Sequence, residues 1–325
     1  MIINDFVVVY ILMNVLSLGL LIPAALIGWF GGQSWKPGLS LEEQDKIARK
    51  IYLVITLLCL GLALRLFMIP LWFLTLQSLV PYVPGAMCLA GVHLLAGCWS
   101  FTATIMKFFI PLGIIYWLIL NSVDRKIESS PFVKTKLTLV IILAVLVSIE
   151  SFLDLNSLVS IHPRIVSCCT SLFDVPRLKA LKFIRQRALV WAFLFYIFLI
   201  IEFAVNLLRS KIGKITGGIS AFFAIMALIF FIFFLHTRIS PLMLEAPYHQ
   251  CIFCLWQGFP DIAVASLAVI AGLWLSFSCA ILPDLKKYPA AFEFCAKLRK
   301  IAVTLYLSGA TWVTLRYALK YFFTR

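Results

Sequence analysis

Charged residues are scarce in this chain, because Asp, Glu, Lys and Arg together make up only 13% of its 325 residues and just 14 residues are acidic. A soluble domain carries about 25% charged residues, and no polar stretch of this sequence is long enough to bury a core of its own. The hydrophobic content of 63% and the mean hydropathy of +1.03 predict an all-α, polytopic integral membrane protein with short loops.

Several cofactor motifs are also missing from the sequence. It contains no G-x-x-x-x-G-K-S/T loop, no dinucleotide fingerprint and no CxxCH haem-attachment sequence. Non-covalent haem held by His93 and His236 stays open, although their spacing gives it no specific support. These absences exclude the usual nucleotide chemistry and covalent haem, so the cofactor is unknown and other polar residues must carry any function.

Apolar runs long enough to cross a bilayer, which takes about 20 helical residues, occur eight times in the sequence. They show no alternation of period two, and helices satisfy the backbone hydrogen bonds within lipid, so each run predicts a helix. The chain is expected to form one membrane domain, residues 1–325. The predicted spans are 6–30, 51–80, 94–121, 137–155, 188–208, 217–236, 262–283 and 301–322.

The distribution of Lys and Arg predicts the orientation of these helices. Four alternate connections carry sixteen basic residues in total, whereas the connections 81–93 and 237–261 carry none and one. The basic side should be cytoplasmic, so we expect an inner-membrane protein with both termini extracytoplasmic. The connection 156–187 carries six basic residues, which a basic amphipathic helix lying on lipid headgroups would explain. If 137–155 did not span, the second half would invert, but its uncharged apolar run argues against this.

The net charge of +14 therefore follows from loop topology and does not indicate a nucleic-acid partner. The expected surroundings are the lipid bilayer and, on the outer side, a metal chaperone or a thiol protein.

Cysteine and histidine residues are concentrated on the predicted outer side. The sequence His249-Gln-Cys251-Ile-Phe-Cys254 lies in a short polar interruption between two apolar runs. The other outer candidates are Met87, Cys88, His93, Cys168 and Cys169, with Met243 as a secondary one. This clustering was not used to orient the helices, so it independently supports a shared outer site.

A soft metal ion is the leading interpretation of this set. Cys, Met and His ligands suit Cu(I), and Cys and His also suit Zn(II). The CxxC pair would supply the core ligands and His249 a third ligand. Cys168, Cys169 and Cys88 would complete the site, with Met87 and His93 as further candidates. The sequence thus predicts binding and transfer, or transport, of an ion such as Cu(I).

Two other interpretations of the cysteines remain open. In the first, Cys251 and Cys254 are the redox pair of a membrane thiol–disulfide oxidoreductase that passes electrons to a quinone in the bilayer. In the second, loop disulfides only fasten the outer face of a structural membrane subunit. The three interpretations predict different states of the thiols, which metal analysis and thiol counting distinguish.

Charged residues within the apolar runs form a second candidate feature. A charge at mid-bilayer costs about 2.5–3.5 kcal/mol, so such residues should face the bundle and pair. The predicted spans place Lys107 at a similar depth in the bilayer to Glu150, and Arg65 at a similar depth to Glu202, which suggests these two ion pairs. Asp154 shares a helix face with Glu150. Arg316 and Lys320 are expected to extend to the lipid headgroups.

Overall fold

The computed structural model describes residues 2–33, 41–127, 131–166, 187–208, 215–246, 249–282 and 288–323. These ranges consist of helices, turns and short irregular connections, and they contain no strand. The first half contains the helices α1 (Asp5–Gln33), α2 (Leu41–Ser78), α3 (Leu89–Ala96), α4 (Cys98–Asp124) and α5 (Val133–Ser160). The second half contains α6 (Ala188–Leu208), α7 (Ile215–Phe234), α8 (Ser240–Met243), α9 (Ile252–Gly258), α10 (Pro260–Ala280) and α11 (Pro289–Phe323).

Two short helical pieces depart from α geometry. A 3₁₀ turn covers Val80–Tyr82, after the end of α2. A π-helical turn, Leu235–Ile239, joins α7 to α8 without a break in the helix. Such wide turns inside α-helices often occur at functional sites.

Seven helical segments in the described ranges are long and apolar enough to cross a membrane. They are Asp5–Phe30, Tyr52–Tyr82, Cys98–Asp124, Val133–Ser160, Ala188–Leu208, Gly217–Met243 and Pro260–Ala280. Helix α11, which includes the predicted span 301–322, is not among them. Its Thr, Tyr and Arg residues lower the mean hydropathy of the helix. The chain is therefore a polytopic, all-α membrane protein, as its composition predicts.

The described chain divides into two compact units. The first unit comprises Met1–Pro84 and Val92–Ile165, and the second comprises Gly85–Gly91 and Val166–Arg325. In the first unit, α1, α2, α4 and α5 enclose an apolar core in which Leu58, Ile114 and Val147 are fully buried.

A buried ionic cluster joins these four helices within the first unit. The Lys107 Nζ donates to Glu150 Oε1 at 2.7 Å and to Asp154 Oδ1 at 2.7 Å. Arg65 Nη2 lies 2.9 Å from Glu150 Oε2, and the Tyr10 hydroxyl donates to Asp154 Oδ2 at 2.5 Å. All five side chains are at most 3% exposed. Two cations thus neutralise two carboxylates away from water.

This cluster confirms one predicted ion pair and corrects the other. Lys107 does contact Glu150, as their depths suggested. Arg65, however, binds Glu150 and not the predicted Glu202. Further donor groups of its guanidinium reach Asn14 Oδ1 at 2.9 Å and Ser151 Oγ at 3.0 Å.

Glu202 belongs to a polar contact of the second unit. Its Oε1 accepts hydrogen bonds from Asn206 Nδ2 at 2.7 Å, Ser220 Oγ at 2.9 Å and Ser276 Oγ at 2.5 Å. These contacts connect α6, α7 and α10. Around them lies an apolar core in which Phe195 and Phe231 are fully buried.

Helices α10 and α11 approach each other at two glycines. A Cβ at Gly309 would lie 2.5 Å from the Ala265 carbonyl oxygen, and one at Gly272 would lie 2.7 Å from the Ala302 carbonyl oxygen. Small residues allow membrane helices to pack this closely. The close approach fixes α10, whose first turn follows directly on the short helix α9.

We predict that Gly309→Ala destabilises the packing of α10 against α11 by about 1–3 kcal/mol, because the new methyl group must displace backbone. The measurement is the unfolding midpoint in mixed micelles. Gly218→Ala is the matched control, since nothing lies within 4 Å of a Cβ at that helical position. Equal midpoints for the two variants would contradict the close approach.

Candidate metal centre

The CxxC motif begins at the N-terminus of the short helix α9. Cys251 is the N-cap residue, with φ −89° and ψ 114°, and Cys254 lies in the first turn. Because an extended N-cap residue precedes a helical turn, the two thiols of a CxxC can point to the same side. Cys88 directly precedes α3, and it belongs to the same unit of the structure as the CxxC.

The sulfur atoms of Cys88, Cys251 and Cys254 all lie within 4.8 Å of one another. The Cys88 and Cys251 sulfurs are 3.7 Å apart, which is well beyond a disulfide bond of about 2.05 Å. Metal–sulfur bonds of about 2.3 Å place the sulfurs of a trigonal or tetrahedral thiolate site about 3.8–4.0 Å apart. We call these residues the three-thiol cluster, and its size suits a single soft ion.

The backbone of the CxxC loop is held by residues at the end of the π-helical turn. Ser240 Oγ, which is fully buried, donates to the Cys251 carbonyl at 3.0 Å and lies 3.3 Å from the His249 carbonyl. The His236 imidazole hydrogen-bonds to the Gln250 backbone. These contacts set the position of Cys251 before any ion binds.

The Cys88 loop is fixed by a glycine that no other residue can replace without strain. Gly85 has φ +85°, and a Cβ there would lie 2.3 Å from the Val166 carbonyl oxygen. The positive φ disfavours residues with a side chain, and the carbonyl leaves no room for one. Farther along, the Gly91 N–H donates to the Cys88 carbonyl at 3.0 Å.

Ion pairs from α11 hold both ends of the segment that carries the CxxC. Lys320 pairs with Glu245 before the motif, and Arg316 Nε lies 2.8 Å from Asp261 Oδ2 after it. The Lys320 ammonium lowers the pKa of the Glu245 carboxyl below its usual value. Arg316 and Lys320 therefore make specific pairs, which the prediction of headgroup contacts did not include.

The remaining predicted ligands lie in several environments. The His249 Nε2 atom is buried and makes no hydrogen bond with the described part of the chain; His249 is not among the residues whose ligand atoms lie within 4.8 Å of one another. Met87 is 65% exposed. His93 belongs to the first unit, where its Nδ1 contacts the Ser100 hydroxyl and its ring stacks on Phe101.

The other predictions for the outer side complete this comparison. Cys168, Cys169 and the basic amphipathic segment 174–186 lie outside the described residues and stay predictions. Met243 is buried in the core of the second unit, where a methionine packs as an ordinary apolar side chain.

Sequence reasoning missed the residues that position the thiols. Ser240 and Gly85 carry no metal-binding signal, although both neighbour a proline, in Ser240-Pro241 and Pro84-Gly85. Such dipeptides indicate turns. They therefore showed where the chain bends, but not that these bends position the thiols.

The arrangement can bind an ion on three sulfurs or exchange disulfides among them. Soft thiolate ligands suit Cu(I) and zinc alike. Comparisons with protein-family models, curated proteins and solved structures find no match for this chain. The functional argument therefore rests on the three-thiol cluster itself.

Proposed function

We propose that this membrane protein binds a soft metal ion, Cu(I), on Cys88, Cys251 and Cys254, and transfers or transports it. The observation that carries this proposal is the mutual approach of the three sulfurs within 4.8 Å. Metal binding requires deprotonated thiols, and soft thiolate ligands suit the monovalent ion Cu(I).

The other predicted ligands extend this proposal. His249, with its buried and unbonded Nε2, is the best placed of them along the chain, two residues before Cys251. Cys168, Cys169 and Met87 are proposed as ligands that receive or deliver the ion, and the assignment of His93 as a ligand stays a prediction from the sequence. The distribution of Lys and Arg supports a site on the extracytoplasmic side of an inner membrane, where a metal chaperone or a thiol protein would be the partner.

Metal retention tests this proposal. Reduced protein is loaded anaerobically with Cu(I), challenged with the chelator bathocuproine disulfonate, and analysed for bound copper. We expect about one ion per chain in the wild type. Structural metal sites with four ligands contribute about 10–16 kcal/mol, or roughly 3 kcal/mol per ligand, so Cys251→Ser should weaken binding about 100-fold.

The matched control is Cys279→Ser, which removes a buried thiol from α10 and should leave copper binding unchanged. In the metal-free protein, the cysteines of the cluster should all react with an alkylating reagent. Equal copper retention by Cys251→Ser and the wild type would refute the proposal. Metal-free protein with permanently oxidised thiols would point to the structural role.

Thiol–disulfide exchange is the second candidate function, because the 3.7 Å contact between the Cys88 and Cys251 sulfurs favours it. The Cys88 thiolate can attack Cys251 Sγ of a Cys251–Cys254 disulfide. The Cys88–Cys251 bond then forms, and Cys254 leaves as a thiolate that takes up a proton, with no net transfer of electrons. Net oxidation of the thiols would need a quinone in the bilayer as the electron acceptor.

The same preparation distinguishes the two functions. Under thiol exchange, added ubiquinone should convert two of the reactive thiols per chain to a protected state, and copper should not be retained. Under metal binding, copper protects the thiols and quinone does not.

A further inference from the structure

We propose that Cys254 is the exchangeable ligand of the three-thiol cluster, where a soft sulfur donor on an incoming carrier takes or delivers the ion. Cys88 and Cys251 would hold the ion throughout this exchange. The inference rests on the proposed binding of Cu(I), and it adds the route of the ion and the chemistry of the partner.

The first observation is the unequal exposure of the three thiols. Cys88 is fully buried and Cys251 is 3% exposed, whereas Cys254 is partly exposed. A donor from outside can reach the ion only on the side where a ligand is open to solvent. Among the three sulfurs, that side is the one occupied by Cys254.

The second observation is that the backbone fixes two of the three cysteines. The Cys251 carbonyl accepts from the buried Ser240 hydroxyl, and the Cys88 carbonyl accepts from the Gly91 N–H. Cys254 lies in the first turn of α9, the helix that Cys251 caps. Buried, packed positions open at a higher cost than exposed ones, so the partly exposed Cys254 thiol can leave the ion at the lowest cost.

A third observation indicates the chemistry of the partner. Met87 is 65% exposed and directly precedes the buried Cys88. A thioether at the surface is a soft donor that can hold Cu(I) briefly during transfer. Because Cu(I) favours soft sulfur ligands, we infer a carrier that presents a thiolate, such as a small thiol or a metal chaperone with its own cysteines.

The exchange step is balanced and involves no change of oxidation state. The incoming thiolate sulfur forms a bond to Cu(I) as the bond from Cys254 Sγ to Cu(I) breaks. The Cys254 thiolate then takes up a proton, and the ion is shared by Cys88, Cys251 and the carrier. Delivery to the protein is the reverse of this step.

Site-resolved alkylation of the wild-type protein tests the inference without any substitution. Protein loaded with Cu(I) is treated with N-ethylmaleimide, and the modified cysteines are identified by mass spectrometry at successive times. We expect Cys254 to be modified at least tenfold faster than Cys88 or Cys251. Incubation with one equivalent of glutathione, followed by a short pulse of excess N-ethylmaleimide, should raise the modification of Cys254 further. Equal protection of all three thiols, or faster modification of Cys88, would overturn the inference.

Alanine variants give an independent readout. Cys254→Ala leaves the two buried thiolates of Cys88 and Cys251, so it should keep at least half of the wild-type copper after the chelator challenge. Cys88→Ala and Cys251→Ala should keep less than one tenth. Equal losses in all three variants would argue against a special role for Cys254.

These outcomes separate the inference from the proposed function. If Cu(I) neither protects any thiol nor remains bound, binding itself fails. If Cu(I) is bound and protects the three thiols equally, only the assignment of Cys254 fails. Repeating the alkylation with a cysteine-bearing chaperone in place of glutathione distinguishes a protein carrier from a small thiol.

Discussion

Lys107→Met should destabilise the first unit by about 3–5 kcal/mol, the cost of breaking a buried ion pair by removing one partner. The variant leaves Glu150 and Asp154 with Arg65 as the one remaining cation among the described residues of this cluster, and Arg65 Nη2 is 3.9 Å from Asp154 Oδ2. One carboxylate in the membrane interior would thus have no cation to neutralise its charge. The measurement is the unfolding midpoint on titration with SDS in mixed micelles.

A second substitution should recover much of this loss. In Lys107→Met/Asp154→Asn, the net charge of the cluster returns to zero, the pair of Arg65 with Glu150 remains, and an asparagine can still accept from the Tyr10 hydroxyl. Such recovery would show that the imbalance of charge, and not the missing side chain, causes the destabilisation. If the single variant cannot be purified, the double variant should still fold and give a midpoint.

Lys297→Met is the matched control. Lys297 pairs with Glu293 one helical turn away, and these side chains are 70% and 68% exposed. Exposed pairs of this kind contribute little, so the midpoint should not move. A Lys107→Met protein as stable as this control would contradict the buried cluster.

Gly85→Ala is expected to lower the affinity of the three-thiol cluster for Cu(I) at least tenfold. The left-handed conformation costs a residue with a Cβ about 1–2 kcal/mol, and the new methyl group would also collide with the Val166 carbonyl. Relief of that collision must shift the Cys88 loop, and a loss of 1.4 kcal/mol in binding already corresponds to tenfold. Competition with a copper chelator measures the affinity.

Gly97→Ala isolates the steric part of this effect. Gly97 also has a positive φ, +59°, but nothing lies within 4 Å of a Cβ built there. It should therefore show the conformational cost alone and keep the wild-type affinity for Cu(I). If the two variants bind copper equally well, the contact between Gly85 and Val166 does not position Cys88.

The helical architecture could be predicted because lipid imposes a simple physical rule. An apolar run of sufficient length must satisfy its own backbone hydrogen bonds, so length and hydropathy alone predict a helix. The same rule brought Cys88 and the CxxC to one predicted side of the membrane. It could not predict that their sulfurs lie within 4.8 Å, because that distance depends on loop geometry at Gly85 and Ser240.

The buried charges show the same limit. Depth along a helix predicted the contact of Lys107 with Glu150, since both residues must pair at similar depth. Depth gives no information on which helices are neighbours, and for this reason the predicted partner of Arg65 was wrong. The pairs of Arg316 and Lys320 with Asp261 and Glu245 were missed because Asp261 lies in the first turn of a different helix and Glu245 lies outside the helices, so the periodicity of α11 gives no information on these partners.

The π-helical turn Leu235–Ile239 has a consequence for the register of the chain around the thiols. A wide turn of this kind is equivalent to one extra residue in a regular helix, and one residue corresponds to a rotation of about 100° around the helix axis. Ser240, the next residue, therefore points in a different direction from the one that an uninterrupted α7 would give it. The Ser240 hydroxyl holds the Cys251 carbonyl, and the direction in which it points depends on the number of residues in this turn as much as on their identity.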